Sequence, residues 1–471
     1  MARLRVLELA KPFVAAMPEV QVPYQKVDVQ ERAMWLVAAG ILYSVLSELP
    51  LYGAVRPLTA PDAWGWLRPL LAASNGSALE LGVVPIVLSG FVLQILASRR
   101  YLTVSLDLRS DRALFQSAQK LLAMFLSFSL SILLSFSGKF GSPAELGYKN
   151  FAFILFQLWT GGLFMILADE IFSKGYGLGT GVMAFTTLSS AQRFVWWAVS
   201  LVGVETESGN QFFGALPNLT HNLYSRSVKY SLIDGVFRSS LPNLVDIMTA
   251  LLAFIVIVYV SMFRYEILLR STKMRGASTT FPVRLLYVGC TPILFWASLL
   301  AVLRLVSSSL YLLAPGNPAV KLLGTWAIEE NAMVATSGLV SFLQPPNNSF
   351  SVTDSVRAVV YLAFTLSVIT IFSRLWAEAS GSAPSDIAKQ LKDNDMVIVG
   401  RRDTGAIKEL RKTIPLAATT GGVVLGLYLA LFDILGATGW SACVAMGVMN
   451  ISSFLELMAQ EGFNPAALQG N

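Results

Sequence analysis

Long apolar runs alternate with short polar segments along most of the chain. The run FAFILFQLWTGGLFMILA, residues 151–168, contains no charged residue. As an α-helix it would rise about 27 Å, close to the thickness of the hydrocarbon core of a bilayer. Runs of this kind, read between their polar boundaries, predict ten membrane-spanning helices. We expect them at about 33–53, 76–97, 113–137, 147–170, 176–200, 242–263, 283–313, 356–377, 415–433 and 436–459.

The overall composition agrees with this pattern. Hydrophobic residues make up 54% of the 471 residues and charged residues only 14%, whereas soluble domains carry about 25% charged residues. The two cysteines, Cys290 and Cys443, both lie in apolar runs, so no disulfide framework is implied. The sequence therefore predicts an all-α polytopic membrane protein.

Positively charged residues are divided unequally between the two sides of the predicted membrane. If the N-terminus is cytosolic, 23 Lys and Arg residues lie on the cytosolic side and nine on the other. Because cytoplasmic loops are enriched in Lys and Arg, this imbalance predicts cytosolic N- and C-termini. An even number of spans is then required, and ten satisfies that requirement.

Two predicted cytosolic loops have local patterns of their own. After the sixth span, YEILLRST and TTFPVRLL have strand-like composition and flank KMRGAS, which predicts a β-hairpin with Gly276 in the turn. After the eighth span, Ser385 is placed to cap a short helix, DIAKQLKD. Thr404 is placed to cap a second helix, GAIKELRKT, that ends before Pro415.

The tips of these two loops each carry a pair of cations. Lys273 and Arg275 lie in KMRGAS, and Arg401 and Arg402 lie in VGRRD. Since arginine pairs with phosphate through two parallel hydrogen bonds, projecting tips of this kind suit a large soluble polyanion. Anionic lipid headgroups are the alternative partner.

A series of short motifs runs through nearly the whole chain in a fixed order. It comprises VLELAKPF, PEV, LPLYG, LELGVVPI, DRALFQSAQK, SKGYGLGTG, LRSTKMRG, SGSAPSDIAKQLKD and ELRKTIP. In this order and spacing the motifs resemble the SecY family, in particular the pore-forming α-subunit of the eukaryotic Sec translocon.

The resemblance implies a passive protein-conducting channel in the endoplasmic reticulum membrane, without a cofactor. Two inverted five-span halves would surround a central pore. Nascent chains with signal sequences would pass to the lumen, and hydrophobic segments would leave sideways into membrane lipid. The implied partners are a small γ-subunit, a small β-subunit, accessory post-translational translocation proteins, and the ribosome, whose RNA and proteins at the tunnel exit would contact the two cationic tips.

On this interpretation the chain divides into consecutive parts. They are a cytosolic segment (1–32), a first half (33–200) with a plug at about 55–76, a lumenal loop (201–241), a second half (242–459) with docking loops at about 264–282 and 378–414, and a cytosolic tail (460–471).

The resemblance also assigns residues to three parts of the channel. A pore ring of side chains that seals by dewetting is expected at Val83, Val87, Val182, Thr186, Leu294 and Met446. The apolar contacts of the plug, a re-entrant segment packed in protein, are expected at Trp64, Trp66, Leu67, Leu70 and Leu71. The positions matching the lateral gate are Leu88, Leu130 and Val302. Ordinary helix packing is the alternative role for all of these apolar residues.

The gate positions depart from the family pattern, which often has polar residues there. Exposing Leu88, Leu130 and Val302 to lipid costs little, because lipid is about as apolar as their protein partners. We therefore hypothesise a gate tuned for hydrophobic signals. Together with VGRRD, this departure resembles the fungal paralogue of the translocon more than the principal channel.

Two other classes of membrane protein are alternatives to a channel. A secondary transporter of small solutes also has inverted repeats, but it usually carries ionisable groups near the membrane midplane. The span centres here are nearly free of such groups, with Arg304 and Glu456 as exceptions to which the sequence assigns no role. A membrane enzyme would need a paired carboxylate, a metal cluster or a nucleophile–base arrangement in the spans. We find none, and we expect neither catalysis nor a metal.

Overall fold

A bundle of long helices forms the body of the protein in the computed structural model. The structure describes residues 11–14, 17–54, 62, 64–99, 101–102, 109–137, 139–141, 143–206, 209–225, 227–236, 238, 241–271, 278–329, 332–345, 352–399 and 403–460. The helices are α1 (Lys11–Val14), α2 (Val29–Glu48), α3 (Val84–Ser98), α4 (Arg109–Phe136), α5 (Pro143–Ile171), α6 (Gly181–Val199), α7 (Ala215–Ser225), α8 (Val228–Val236), α9 (Leu244–Ser261), α10 (Thr291–Leu313), α11 (Pro318–Leu323), α12 (Val352–Ala379), α13 (Pro384–Asp393), α14 (Asp403–Ile434) and α15 (Trp440–Gln460). The strands are β1 (Gly203–Thr206), β2 (Gly209–Phe212), β3 (Arg264–Ser271), β4 (Ser278–Arg284), β5 (Thr325–Glu329), β6 (Ala332–Ser337) and β7 (Met396–Ile398).

Each of the ten predicted spans contains a helix. In the part of the chain that the structure describes, seven helical segments are long and apolar enough to cross a membrane, and they lie in α4, α5, α9, α10, α12, α14 and α15. Helix α3 is apolar but shorter. Helices α2 and α6 occupy the remaining two predicted spans.

Two spans begin later than the apolar runs suggest, and proline is the reason. Residues 76–83 form turns, and α3 begins at Val84 with Pro85 in its first turn. Similarly, α10 begins at Thr291 with Pro292 in its first turn. Proline lacks an amide hydrogen and has a fixed φ, so it is well tolerated where the first amides of a helix have no partner.

Three predictions about the loop after α12 were wrong. Ser385 does not cap α13, because the capping position is Ala383 and Ser385 lies inside the first turn. Helix α14 begins at Asp403, so Thr404 also lies inside a first turn, and the helix continues through Pro415 to Ile434. Proline inside a helix is tolerated in membrane proteins, where neighbouring groups satisfy the freed carbonyls.

The buried core lies between two sets of helices, α2–α6 in the first half and α9, α10, α12, α14 and α15 in the second. The halves meet along two lines: α3 packs on α10 and α12, and α6 packs on α15. Side chains from both halves form one large buried cluster that includes Tyr43, Trp296 and Tyr361. We call the line between α3 and the pair α10 and α12 the seam.

A small three-stranded sheet stands at the end of the bundle where α9 leads into α10. The two predicted hairpin strands are present: β3 pairs antiparallel with β4 from Arg264↔Arg284 to Arg270↔Ser278. The predicted turn with Gly276 lies outside the described residues. The sequence did not predict β7, which pairs with β3 from Leu269↔Ile398 to Ser271↔Met396. The two basic loops are therefore parts of one folded unit.

A separate apolar cluster holds this sheet on α13 and α14. Its buried members are Ile267, Leu269, Val283, Ile387, Ile398, Leu410 and Ile414. Strands from one loop and helices from the other contribute to it, so burial of apolar surface joins the two loops in addition to the strand pairing.

We expect Leu410→Ala to loosen the sheet. Leu410 is 1% exposed, and truncation of a buried leucine costs about 2–5 kcal/mol. Amide hydrogen exchange of β3 and β7 should accelerate. Leu416→Ala, on the same helix but 57% exposed, should leave that exchange unchanged. Equal exchange rates in the two variants would show that the cluster does not hold the sheet.

Candidate functional site

Residues 64–82 fold into the space between the two halves. They form two short 3-10 turns, Gly65–Leu67 and Pro69–Leu71. Of the predicted plug contacts, Trp64, Leu67, Leu70 and Leu71 are buried, and Trp66 is half-buried. The predicted plug residues 55–61 and 63 lie outside the described residues.

The end of this segment, just before α3, passes very close to the turn Pro69–Leu71. Gly82 has a φ of +53°, and a Cβ there would lie 2.1 Å from the carbonyl oxygen of Leu71. The next amide, of Val83, donates a hydrogen bond to the same oxygen at 2.9 Å. Glycine is required here, because a side chain would be both strained and obstructed.

The segment contacts helices of both halves. From α6, the Ser190 hydroxyl donates to the carbonyl oxygen of Pro69, and the Arg193 guanidinium donates to that of Ala73, each at 3.2 Å. From α10, the ring of Trp296 lies 5.8 Å from the ring of Trp66. The segment therefore packs against both halves of the bundle.

The turn before α15 also packs against this segment. Gly439, with a φ of +76°, lies so close to Trp66 that a Cβ would stand 2.9 Å from its carbonyl oxygen. Asp433 fixes this turn by accepting hydrogen bonds from the Gly439 amide (3.0 Å), Ser441 (2.9 Å) and Tyr361 (2.6 Å). Asp433 was not singled out in the sequence, where it is one acid at the end of an apolar run.

A cluster of four charged side chains anchors the segment. Arg68 pairs with Asp62 and Glu80, and Lys139, from the α4–α5 loop, pairs with Glu80 at 2.7 Å and Asp62 at 3.2 Å. Glu80 also accepts a hydrogen bond from the Gly76 amide. Arg68 and Glu80 are 3% and 1% exposed. We call these four residues the charge cluster.

Electrostatics inside the charge cluster keep Asp62 and Arg68 ionised. Burial would raise the pKa of Asp62, but the neighbouring Arg68 and Lys139 charges outweigh burial and hold that pKa well below its usual range. Burial would lower the pKa of Arg68, but Asp62 and Glu80 raise it. A buried ion pair persists only where geometry and hydrogen bonds compensate for lost hydration, so the cluster depends on all its members being in place.

The predicted ring residues lie near the first turns of their helices. Val83 directly precedes α3, Val87 lies in its first turn, and the others are in α6, α10 and α15: Val182 and Thr186, Leu294, and Met446. All are buried except Val182, which is half-buried. Val83, Val87, Leu294 and Met446 belong to the same buried cluster as the plug side chains, and Val182 packs against it.

Thr186 is the one polar residue among them. Its hydroxyl donates to the carbonyl oxygen of Val182 at 2.8 Å. The hydroxyl is thus satisfied within α6.

The predicted gate residues lie on the helices that border the seam. Leu130, on α4, is buried, whereas Leu88, on α3, and Val302, on α10, are half-buried and pack against the main cluster. One polar contact crosses the seam nearby: the Gln94 amide donates to the carbonyl oxygen of Ala379 at 3.2 Å.

Sequence reasoning missed an aromatic group at the same seam. Phe91 of α3 lies among Phe295 of α10 and Phe372 and Trp376 of α12. The four-residue spacing of Phe372 and Trp376 was an available signal, because residues at i and i+4 share one face of a helix.

The four predicted tip cations lie outside the described residues: Lys273, Arg275, Arg401 and Arg402. The strands that lead to them are described. Strand β3 ends at Ser271, immediately before the first tip, and β7 ends at Ile398, shortly before the second. Strands β3 and β7 are paired antiparallel, so the chain enters the first tip and leaves β7 from neighbouring strands of one sheet but in opposite directions.

The two ionisable residues without a predicted role both have partners. The guanidinium of Arg304 lies 5.5 Å from the ring centre of Trp326, a cation–π distance. Glu456 pairs with Arg284 at the end of β4. Among the described residues, no three His, Cys, Asp or Glu side chains gather as a metal site would require.

Comparison with known proteins gives matches over nearly the whole chain. The SecY family matches residues 77–455, and the plug domain of Sec61p matches residues 41–76. The protein transport protein SEC61 subunit alpha of Yarrowia lipolytica is 38% identical over 99% of this chain and 100% of its own length. The protein transport protein SEC61 of Saccharomyces cerevisiae is 37% identical over 98% of this chain and 97% of its own length.

Solved structures match as well. The structure of a protein conducting channel superposes with a TM-score of 0.78, at 25% identity, over 96% of this chain and 97% of that one. The idle yeast Ssh1 complex bound to the yeast 80S ribosome superposes with a TM-score of 0.76, at 30% identity, over 98% of this chain and 96% of that one.

We expect Glu80→Gln to weaken the packing of residues 64–82 between the two halves. Removing one member of a buried ion pair costs about 3–5 kcal/mol, because the remaining charge is uncompensated. With Cys290 and Cys443 replaced by alanine, a cysteine introduced at Leu67 should react with a membrane-impermeant maleimide roughly 100-fold faster. Glu456→Gln makes the same change in an ion pair that is about half exposed and should have no effect. An unchanged labelling rate in Glu80→Gln would show that the charge cluster does not anchor the segment.

Proposed function

The chain belongs to the SecY family, and on that premise we propose that it is the pore-forming subunit of the protein translocation channel of the endoplasmic reticulum membrane. It passes nascent secretory chains across the membrane and releases transmembrane segments sideways into lipid, cotranslationally with a docked ribosome. The observation that carries this proposal is the buried segment 64–82, seated between two helical halves. The matches give no support to the alternative of a small-solute transporter.

The channel needs a polar path that does not leak ions when idle. In the proposed closed state, the ring residues Val83, Val87, Val182, Thr186, Leu294 and Met446 form the constriction, which aliphatic side chains seal by excluding water. The plug side chains Trp64, Trp66, Leu67, Leu70 and Leu71 fill the space beside it. A chain entering the pore displaces the plug, and the ring closes around that chain.

Lateral release uses the seam. Leu88, Leu130 and Val302 border it, and separating α3 from α10 and α12 opens a path from the pore to the lipid. Since exchange of aliphatic contacts for lipid costs little, an apolar segment of the passing chain can take the place of these contacts. The gate thus selects hydrophobic segments.

Orientation and partners follow from the charge distribution. We assign the N- and C-termini to the cytosol on the excess of Lys and Arg in the loops of that side. The sheet of β3, β4 and β7 then faces the cytosol, and its tips dock the ribosome through Lys273, Arg275, Arg401 and Arg402. The yeast Ssh1 complex, a structural relative, is bound to the 80S ribosome. Small β- and γ-subunits complete the heterotrimer.

The pore is tested by crosslinking a stalled nascent chain. Cysteines placed singly at Val87, Val182 and Leu294 should each form a disulfide with a cysteine in the stalled chain, because the chain passes through the ring. A cysteine at Ile255, which is 63% exposed on α9, should not. Crosslinks at Ile255 in the absence of crosslinks at the ring positions would overturn the proposed path.

Ribosome docking is tested by charge reversal at the tips. The double variant Arg275→Glu and Arg402→Glu should bind ribosomes at least about tenfold more weakly, with a weaker dependence on salt, because fewer ion pairs with phosphate form. Lys229→Glu with Lys321→Glu makes the same change in charge on the other side of the membrane and should bind normally. Co-sedimentation with ribosomes across a salt series measures both. If only binding to vesicles of anionic lipid falls, the tips are lipid contacts instead.

A further inference from the structure

Four aromatic side chains meet across the seam between α3 and the pair α10 and α12. The ring of Phe91 lies edge-to-face with Phe295 at 4.6 Å, Trp376 at 4.7 Å and Phe372 at 5.7 Å between ring centres. Phe295 and Phe372 stack on each other at 3.3 Å. Phe91 is 5% exposed and Phe295 9%. We call these four residues the aromatic cluster.

The aromatic cluster joins the two halves of the bundle through one residue. Phe91 comes from the first half, whereas Phe295, Phe372 and Trp376 all come from the second. Separation of α3 from α10 and α12 therefore breaks all three ring contacts of Phe91. The stack of Phe295 on Phe372 lies within the second half, so the seam can open without breaking it.

Ring contacts behave differently from the aliphatic contacts beside them. A lipid tail replaces an aliphatic contact at little cost, because it is as apolar as the side chain and an aliphatic contact has no preferred direction. Edge-to-face ring pairs are directional and contribute beyond the area they bury, roughly two- to tenfold each in an equilibrium. Lipid tails cannot reproduce that geometry. The aromatic cluster therefore favours the closed seam more strongly than Leu88, Leu130 or Val302 can.

We propose that the aromatic cluster determines which apolar segments leave the channel through the seam, and that it favours segments carrying aromatic side chains. An aromatic side chain of the passing segment can occupy the place that Phe91 vacates and restore ring contacts with Phe295, Phe372 and Trp376. A purely aliphatic segment cannot, so it must be more hydrophobic to open the seam. This inference rests on the proposed function and names the class of substrate that the gate prefers.

The inference is tested with two matched series of reporter proteins. Each reporter carries a 19-residue test segment with an increasing number of leucines in an alanine background (about the length that spans a bilayer), and the second series replaces two of the leucines by phenylalanine. The purified complex is reconstituted in vesicles, and the ratio of membrane-integrated to fully translocated reporter is measured. With the wild-type channel, the phenylalanine series should integrate at a lower total hydrophobicity.

Two variants separate the contributions of the two sides. Phe91→Leu weakens the closed seam and should raise the integrated-to-translocated ratio of the leucine series about tenfold near its midpoint. Phe372→Leu with Trp376→Leu removes two of the three rings that receive an aromatic segment, and it should largely abolish the preference for phenylalanine. The matched control is Phe136→Leu, which removes an edge-to-face ring pair with Phe151 inside the first half, at 5.0 Å. It should change neither quantity.

The outcomes distinguish this inference from the function on which it rests. Equal ratios for Phe91→Leu and Phe136→Leu, or a phenylalanine preference that survives Phe372→Leu with Trp376→Leu, overturn the role of the aromatic cluster and leave the channel intact. A wild-type complex that moves no reporter overturns both. Co-purification with the small subunits checks that each variant folds. If Phe91→Leu fails that check, Phe91→Met replaces it, because methionine fills an irregular space more readily.

Discussion

Arg68 holds the carboxylates of Asp62 and Glu80 together in an ion-paired cluster that is largely buried. Lys139 supplies the second positive charge from a loop far along the chain, and the four charges balance only when the segment lies between the two halves. A displaced segment would leave buried charges without partners, which is far more costly than leaving them in water. This constraint sets the position of residues 64–82, and the burial of Leu67, Leu70 and Leu71 follows from it.

The pore and the seam are closed by different kinds of contact. Between the two halves, residues 64–82 are held by ion pairs and by hydrogen bonds to their backbone, and neither tolerates a change of register. Toward the lipid, α3 is held by aliphatic contacts, one amide hydrogen bond from Gln94 and the rings around Phe91. Because lipid replaces most apolar contacts without penalty, the directional contacts decide how readily the seam opens. The two routes out of the pore can thus be opened by different features of a passing chain.

Sequence patterns predicted those parts of the fold that depend on local chemistry. The spans follow from uncharged runs, and the β3–β4 hairpin follows from strand-like segments around a glycine. Strand β7 was missed because three residues, MVI, carry too little pattern. A helix end was wrongly predicted before Pro415, which lies inside α14, because proline interrupts helices in water more than in a membrane protein. The charge cluster was missed because Lys139 lies 59 residues from Glu80, and local reading cannot pair such residues. Phe91 looked like any apolar residue of a span until its partners on α10 and α12 were known.

The pairing of β3 with β7 has a consequence for how the two loops engage a large partner. Flexible loops would each lose conformational freedom on binding, and the second contact would be as difficult to form as the first. Here one sheet, fastened by Leu410 and Ile414 on α14, fixes the spacing between the bases of the loops before any partner arrives. On the proposed docking through both loops, binding by one loop raises the effective concentration of the other loop at its own contact. Two individually weak contacts then act as one strong attachment, whose strength depends on the stiffness of the sheet that joins the two loops.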